Sequence, residues 1–322
     1  MPVRVRLMSE RKRAPRPSDV LHTARYSKGT RRQYDDGVRH FLNWVRSTRA
    51  RTRSSREMDA AFCEFLRWWF DTHDGRSAQT VVCAYYGLRW YIPELKNRMP
   101  RSLQLINGWK RHRPSEQHPP LTWPLACAIA IALVRRGLPR YAVGVLLSFD
   151  CLLRVHELAA LRPVHVQDGN HRAHEHNMRG RVLLHLPKTK ANEVQSVEVW
   201  RPEVRRLVLW LASVTPTRWT LLAARDYSFR YAFTKVVAEL GLDPKFVLHS
   251  LRHGGATAMY NAGASMVAVR DRGRWSTVKS ARHYVQSGRA LSMENAAPEP
   301  VVAAGDIISR DLLGAFALAL AQ

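Results

Sequence analysis

Residues Leu248–Val285 read LHSLRHGGATAMYNAGASMVAVRDRGRWSTVKSARHYV, and the rest of the chain is best understood from this stretch. His249 and Arg252 stand three apart, so on a helix they share one face. Gly254 and Gly255 follow, and residues that small permit another backbone to approach closely. Asn261-Ala262-Gly263 predicts the helix stop. Ser265 is the expected cap of a short helix carrying Met266, Val267 and Val269. Ser276 is the expected cap of the next one, with Val278, Ala281 and Val285 on its buried stripe and Tyr284 at the edge of that stripe.

Two upstream segments supply partners. Phe149–Leu161 reads FDCLLRVHELAAL, in which Arg154 and Glu157 again fall on one helical face. Leu186–Val199 reads LPKTKANEVQSVEV, two short alternating runs with Lys188 and Lys190 at the turn between them. In chain order the series is Arg154, Glu157, Lys190, His249, Arg252, Trp275, Tyr284. It resembles the catalytic constellation of the tyrosine recombinases, the phage integrase family. LLRVHEL is especially similar to the Cre-type version, and so is Trp275, which stands where most relatives carry a second histidine. The resemblance rests on specific motifs over roughly residues 120–290 and on general pattern over 20–115. It selects Lys190 over Lys188, because the family's lysine lies five residues before the next strand, which starts here at Gln195.

These residue types suit phosphoryl transfer. A phosphodiester resists attack because negative charge shields its phosphorus, and a catalyst must neutralise the charge that grows in the transition state. The planar fork of arginine bonds two phosphate oxygens at once. Arg154 and Arg252 are therefore the expected clamp, with His249 and the Trp275 indole N–H as further donors and Glu157 orienting them. A free tyrosine ionises near pH 10; nearby arginines favour the phenolate, and His249 can serve as base. The resemblance implies attack by Tyr284, a 3′-phosphotyrosyl link, and Lys190 as the acid that protonates the leaving 5′ oxygen. Such a link conserves bond energy, so no cofactor is expected. There is no GxxxxGK[ST] loop and no obvious acidic metal cluster.

Composition agrees with a polyanionic partner. The chain has 322 residues and a formal net charge of +25 at pH 7, which points to double-stranded DNA. The longest apolar run, Leu125–Val134, is too short to span a membrane. Cys63, Cys83, Cys127 and Cys151 are far apart in apolar helical contexts, as expected of reduced core cysteines in an intracellular, DNA-associated protein. The basic N-terminus lacks an apolar segment and is no secretory signal.

The expected fold is mainly α with a small antiparallel β-sheet (α+β). The expected divisions are a basic arm at 1–24, a helical core-binding domain at 25–115, a catalytic domain at 116–290, and a linker with an apolar C-terminal helix at 291–322. Helices are predicted at 27–47, 60–70, 77–91 and 102–110. In this block Arg31, Arg32, Arg39, Arg76, Arg89, Lys110 and Arg111 are the candidate phosphate contacts. Residues 109–124 read as the interdomain linker. Helices at about 124–136 and 139–150 precede three short strands within 164–200. His171, His174 and His176 in the first turn of that sheet read as a solvated loop rather than a metal site. Helices at 202–213 and 227–240 follow. The tail opens with a Pro/Ala linker, NAAPEPVVAAGD, before IISRDLLGAFALALAQ, a helix so apolar that it needs a groove. That groove can lie on its own domain or on another copy; the resemblance implies docking on a neighbouring protomer, and hence a homotetramer exchanging strands through a four-way junction. The competing readings are a monomeric type IB topoisomerase-like enzyme and a non-catalytic DNA-binding protein on the same scaffold.

Overall fold

The computed structural model describes residues 26–114, 117–169, 179–187, 195–223 and 226–322. The chain divides into two compact units, 1–116 and 117–322.

The first unit is helical throughout its described residues: α1 (Lys28–Thr48), α2 (Ser55–Thr72), α3 (Ala78–Tyr91), a 3-10 turn at Pro93–Leu95, and α4 (Pro100–His112). Ser27 caps α1 by accepting from the Thr30 N–H. Ser54 and Glu57 close a capping box at α2, reciprocally satisfying two N–H groups that the helix cannot. α1 and α3 cross closely because Gly87 faces α1: a Cβ there would lie 2.7 Å from Val38 Cγ2. Phe41, Phe62, Phe65, Tyr85 and Leu88 fill the interior. Asp59 is buried and accepts from the N–H groups of Arg101 and Ser102, so a carboxylate caps the start of α4. Residues 109–112, read as linker, are the last turn of α4, anchored by the buried Trp109, whose indole donates to the Gly75 carbonyl at 3.0 Å.

The second unit is built round one helix. α5 (Trp123–Arg135) is apolar on nearly every face, and a helix of that kind must be covered on all sides. α6 (Pro139–Asp150) covers one side and leads into the short α7 (Val155–Ala160). Three strands follow, β1 (Val166–Asp168), β2 (Val182–Leu186) and β3 (Gln195–Val199), antiparallel in the order β1-β2-β3, with Val182 opposite Val199. Leu184, Leu186, Val197 and Val199 alternate inward onto the core. The His171–His176 segment and both candidate lysines, Lys188 and Lys190, lie outside the described residues. α8 (Pro202–Ser213) and α9 (Asp226–Glu239) complete the wall; α10 (Leu248–Asn261), α11 (Met266–Gly273) and α12 (Val278–Arg282) carry the stretch first quoted, and α13 (Ser287–Asn295) follows it.

The tail departs from its reading. NAAPEPVVAAGD is mostly helix: α14 (Glu299–Arg310) starts after Pro298 with Pro300 in its first turn, where proline costs no hydrogen bond. α15 (Leu312–Ala321) follows, capped by Asp311. Both pack on α5 of their own chain. The cause is the all-apolar α5, whose remaining sides these helices cover. Leu312, Phe316 and Ala319 enter the core, and a Cβ on Gly305 would meet the Pro124 carbonyl oxygen at 2.5 Å. Among the described residues no helix is long and apolar enough to cross a membrane, and all four cysteines are free and buried.

Candidate active site

α10 is pressed against the α6–α7 corner. Added Cβ atoms on Gly254 and Gly255 would overlap the carbonyl oxygens of Leu121 and Phe149, so these glycines set how deeply the helix sits. That depth buries Arg252 completely. Its guanidinium donates to the carbonyls of Leu152 and Gly273, lies 4.4 Å from the Trp275 ring centre and 5.5 Å from that of Tyr284. Leu152 adopts a left-handed φ of 49°, which turns the chain into α7. The Arg252 Nε–H and the Trp275 indole N–H are buried and have no acceptor among the described residues.

Arg154 does not share a helical face with Glu157, as the spacing predicts. It is the N-cap of α7 and Glu157 is the third residue of that helix, so the same separation yields a cap. The buried Glu157 carboxylate accepts from the Arg154 backbone N–H at 2.9 Å and from its guanidinium at 2.6 Å. It also accepts from Arg274 at 2.8 Å. Burial alone would raise the Glu157 pKa, but Arg274 and the bonds from Arg154 outweigh it and hold the carboxyl below its usual range.

Tyr284 is half-buried and lies beyond the end of α12, in a turn closed by its N–H to the Ala281 carbonyl. Thr277, not Ser276, caps α12, accepting from Ser280 at 3.1 Å. Ser265 caps α11 as expected. The Tyr284 hydroxyl is 3.3 Å from His249 Nε2. Its ring lies 4.4 Å from those of both Trp275 and His253. Burial, then Arg252, His118, Arg154 and Arg230, push the His249 pKa down to about 4. Burial, then His249, His118, Arg252 and Arg289, push His253 to about 3. Both imidazoles are therefore neutral at pH 7, and a neutral ring has one nitrogen able to accept a proton. Burial first, then Arg154 and Arg274, lower the Arg252 pKa as well.

Six of the seven residues singled out from the sequence thus gather in one place: Arg154, Glu157, His249, Arg252, Trp275 and Tyr284. Residues 134–290 match the phage integrase family. The chain carries a phage integrase family domain. No curated protein sequence matches it. Several solved structures resemble it, among them the following three. An integrase of the Tn1549 transposon in complex with transposon right end DNA aligns with a TM-score of 0.59 and 14% identity, over 87% of this chain and 98% of that one. A lambda integrase dimer bound to a COC′ core site gives 0.58 and 12%, over 84% and 92%. The XerH site-specific recombinase bound to palindromic difH substrate gives 0.57 and 16%, over 83% and 78%. At these identities the likeness is one of fold.

Beside the six stand residues that spacing did not flag. His253 stacks on the tyrosine, His118 lies 6.0 Å from His249 between ring centres, and Arg274 completes the Glu157 pairing. Only the adjacency of His253 to Arg252 was available as a signal. The seven arginines and lysines read as phosphate contacts all lie in the first unit. Arg32, Arg39, Arg76, Lys110 and Arg111 are exposed, and Arg39 is paired with Asp36 at 2.8 Å. Arg31 and Arg89 are half-buried, and each has a buried Nε–H with no acceptor among the described residues.

Proposed function

We propose that this protein is a site-specific DNA recombinase that cuts and rejoins strands through a 3′-phosphotyrosyl intermediate. One observation carries the reading: a tyrosine hydroxyl 3.3 Å from a neutral imidazole stands over a fully buried guanidinium, beside buried donors without acceptors. A buried cation whose hydrogen bonds go only to carbonyls is under-compensated, and an anion is its natural complement. A phosphodiester supplies one. Arg252 and Arg154 then clamp its non-bridging oxygens, and the Trp275 N–H donates to it. His249 accepts the Tyr284 proton, the tyrosine oxygen bonds to phosphorus, and the 5′ oxygen leaves with a proton for which Lys190 is the donor. Glu157 keeps Arg154 oriented. The first unit supplies the core-binding domain, and its exposed arginines and lysines neutralise backbone phosphates.

The test is a nicked duplex drawn from the protein's own genomic flanks, on which the cleaved strand cannot be rejoined. Wild type is expected to leave a covalent protein–DNA adduct on a denaturing gel, and Tyr284→Phe none. Tight binding of a competent site without an adduct would remove the enzyme. An adduct surviving in Tyr284→Phe would move the nucleophile, with Tyr260 next in line.

A second reading keeps this chemistry in a monomer that nicks and closes DNA, as a type IB topoisomerase does. Its supporting observation is the tail, which covers α5 of its own chain and so is spoken for without a neighbour. Sedimentation of the protein on a full target site separates the two: four copies support exchange through a four-way junction, and one copy supports nicking and closing.

A further inference from the structure

α11 ends at Gly273, and the residue that turns the chain out of the helix is Arg274, at φ 56° and ψ 44°. Glycine adopts that left-handed conformation freely, whereas a side-chain-bearing residue holds it under strain. The strain is accompanied by an unusual use of the side chain. Arg274 is only 6% exposed there. Its Nη1 donates to the carbonyls of Arg272 at 2.9 Å and Cys151 at 3.2 Å. Its Nη2 donates to Glu157 at 2.8 Å and to the Leu152 carbonyl at 3.0 Å.

Two of those acceptors are shared with the proposed phosphate clamp. Glu157 also holds Arg154, and the Leu152 carbonyl also holds Arg252. Arg274 is thus bonded to the acceptor behind each of the two arginines, and the next residue along the chain is Trp275. It also changes the charge balance. Two guanidiniums, those of Arg154 and Arg274, pair with the single carboxylate of Glu157. Without Arg274 the full charge of Glu157 would fall on Arg154, and Arg154 would have correspondingly less to offer a phosphate.

We propose that Arg274 is a positioning residue of this active site: by holding Glu157 and the Leu152 carbonyl, it leaves Arg154 and Arg252 aimed and charged for one phosphate. The proposal rests on the recombinase reading above.

Single-turnover cleavage of the nicked duplex, with DNA affinity measured in parallel, is the test. Arg274→Met should slow adduct formation about 100-fold, the scale of losing one preorganised electrostatic contact, while affinity stays within about threefold. The decisive arm adds Glu157→Gln. If Arg274 acts by balancing that carboxylate, the double variant should recover about tenfold over Arg274→Met, because the uncompensated charge is gone. A purely structural arginine would show no such recovery. Arg274→Lys, which keeps charge and length but not the fork, should be about tenfold slow at unchanged affinity; it carries the test if circular dichroism finds Arg274→Met unfolded. Cleavage by either single variant within about threefold of wild type overturns the proposal, and so does a double variant as slow as Arg274→Met. A wild type that never forms an adduct fails at the earlier step and overturns the recombinase reading on which this one stands.

Discussion

Two sets of arginines, one in each unit of this molecule, use the same side chain in opposite ways. In the second unit Arg252 is fully buried, Arg274 is 6% exposed, and both are fixed by backbone carbonyls. In the first unit Arg39 is 47% exposed and bonded to a neighbouring aspartate, and Arg32, Arg76 and Arg111 are also on the surface. A buried guanidinium gives up its hydration and keeps one orientation, so it can be aimed. A solvated one keeps its hydration and its rotamers, and contributes charge without direction. The first kind suits a reaction at one phosphorus atom and the second suits adhesion to a polyanion.

The sharpest way to break this contrast is Arg252→Lys. Lysine preserves the charge but cannot satisfy both the Leu152 and Gly273 carbonyls while also presenting a fork. Adduct formation should fall about 1000-fold, the upper range for losing an aimed electrostatic contact. Quantifying the adduct over time checks it, and a loss below about tenfold would mean that charge, not aim, is what the burial provides.

Burial of the imidazoles offers a second, smaller effect, read in stability. The folded-state pKa values of His249 and His253 are depressed to about 4 and about 3. The unfolded chain takes up these protons near pH 6.5, and the folded chain does so only far below. The stability is therefore whole above about pH 6.5 and lost as pH falls from there toward 4. At pH 5 each histidine should cost on the order of 2 kcal/mol relative to pH 7. Urea unfolding at the two pH values measures this, and His253→Gln should lose roughly half as much on acidification. An equal loss in wild type and variant would place the titration elsewhere.

The clustered side chains were legible in the sequence because phosphoryl transfer favours these residue types and the resembled family has them in this order. Arg154, His249, Arg252, Trp275 and Tyr284 needed no knowledge of distances to be grouped. Arg274 was not legible. Its place depends on a left-handed turn after Gly273 and on a side chain folded inward, and neither leaves a periodic trace. The separation of Arg154 and Glu157 was read as a shared helix face, yet the helix begins one residue later and the same three-residue step made a cap. The linker reading of NAAPEPVVAAGD fails for a related reason. Proline and alanine in NAAPEPVVAAGD suggest a linker when counted by composition, whereas Pro300 at the second helical position is harmless and the uncovered sides of α5 decide the outcome. The three-stranded sheet was visible as alternation, because one of its faces is buried.

The exposed side of the comparison can be sharpened by setting Arg32 against Arg39. Both lie on α1 and both are exposed, but the Arg39 guanidinium is 2.8 Å from the Asp36 carboxylate. An exposed pair of this kind is worth less than about 1 kcal/mol to the fold, so neither Arg32→Ala nor Arg39→Ala should move the unfolding midpoint appreciably. Their effects on DNA should differ. A cation that meets a phosphate releases counterions, and removing it should lower the slope of log affinity against log salt by about 0.9. Arg32→Ala should show that full change. Arg39→Ala should show less, because Asp36 already neutralises part of its charge, and Asp36→Asn should strengthen binding by releasing it. Filter binding at several salt concentrations, on specific and random duplexes, measures all three. Losses confined to the specific duplex would mean that these arginines are aimed at bases, and the distinction between directed and undirected guanidiniums would then not follow burial.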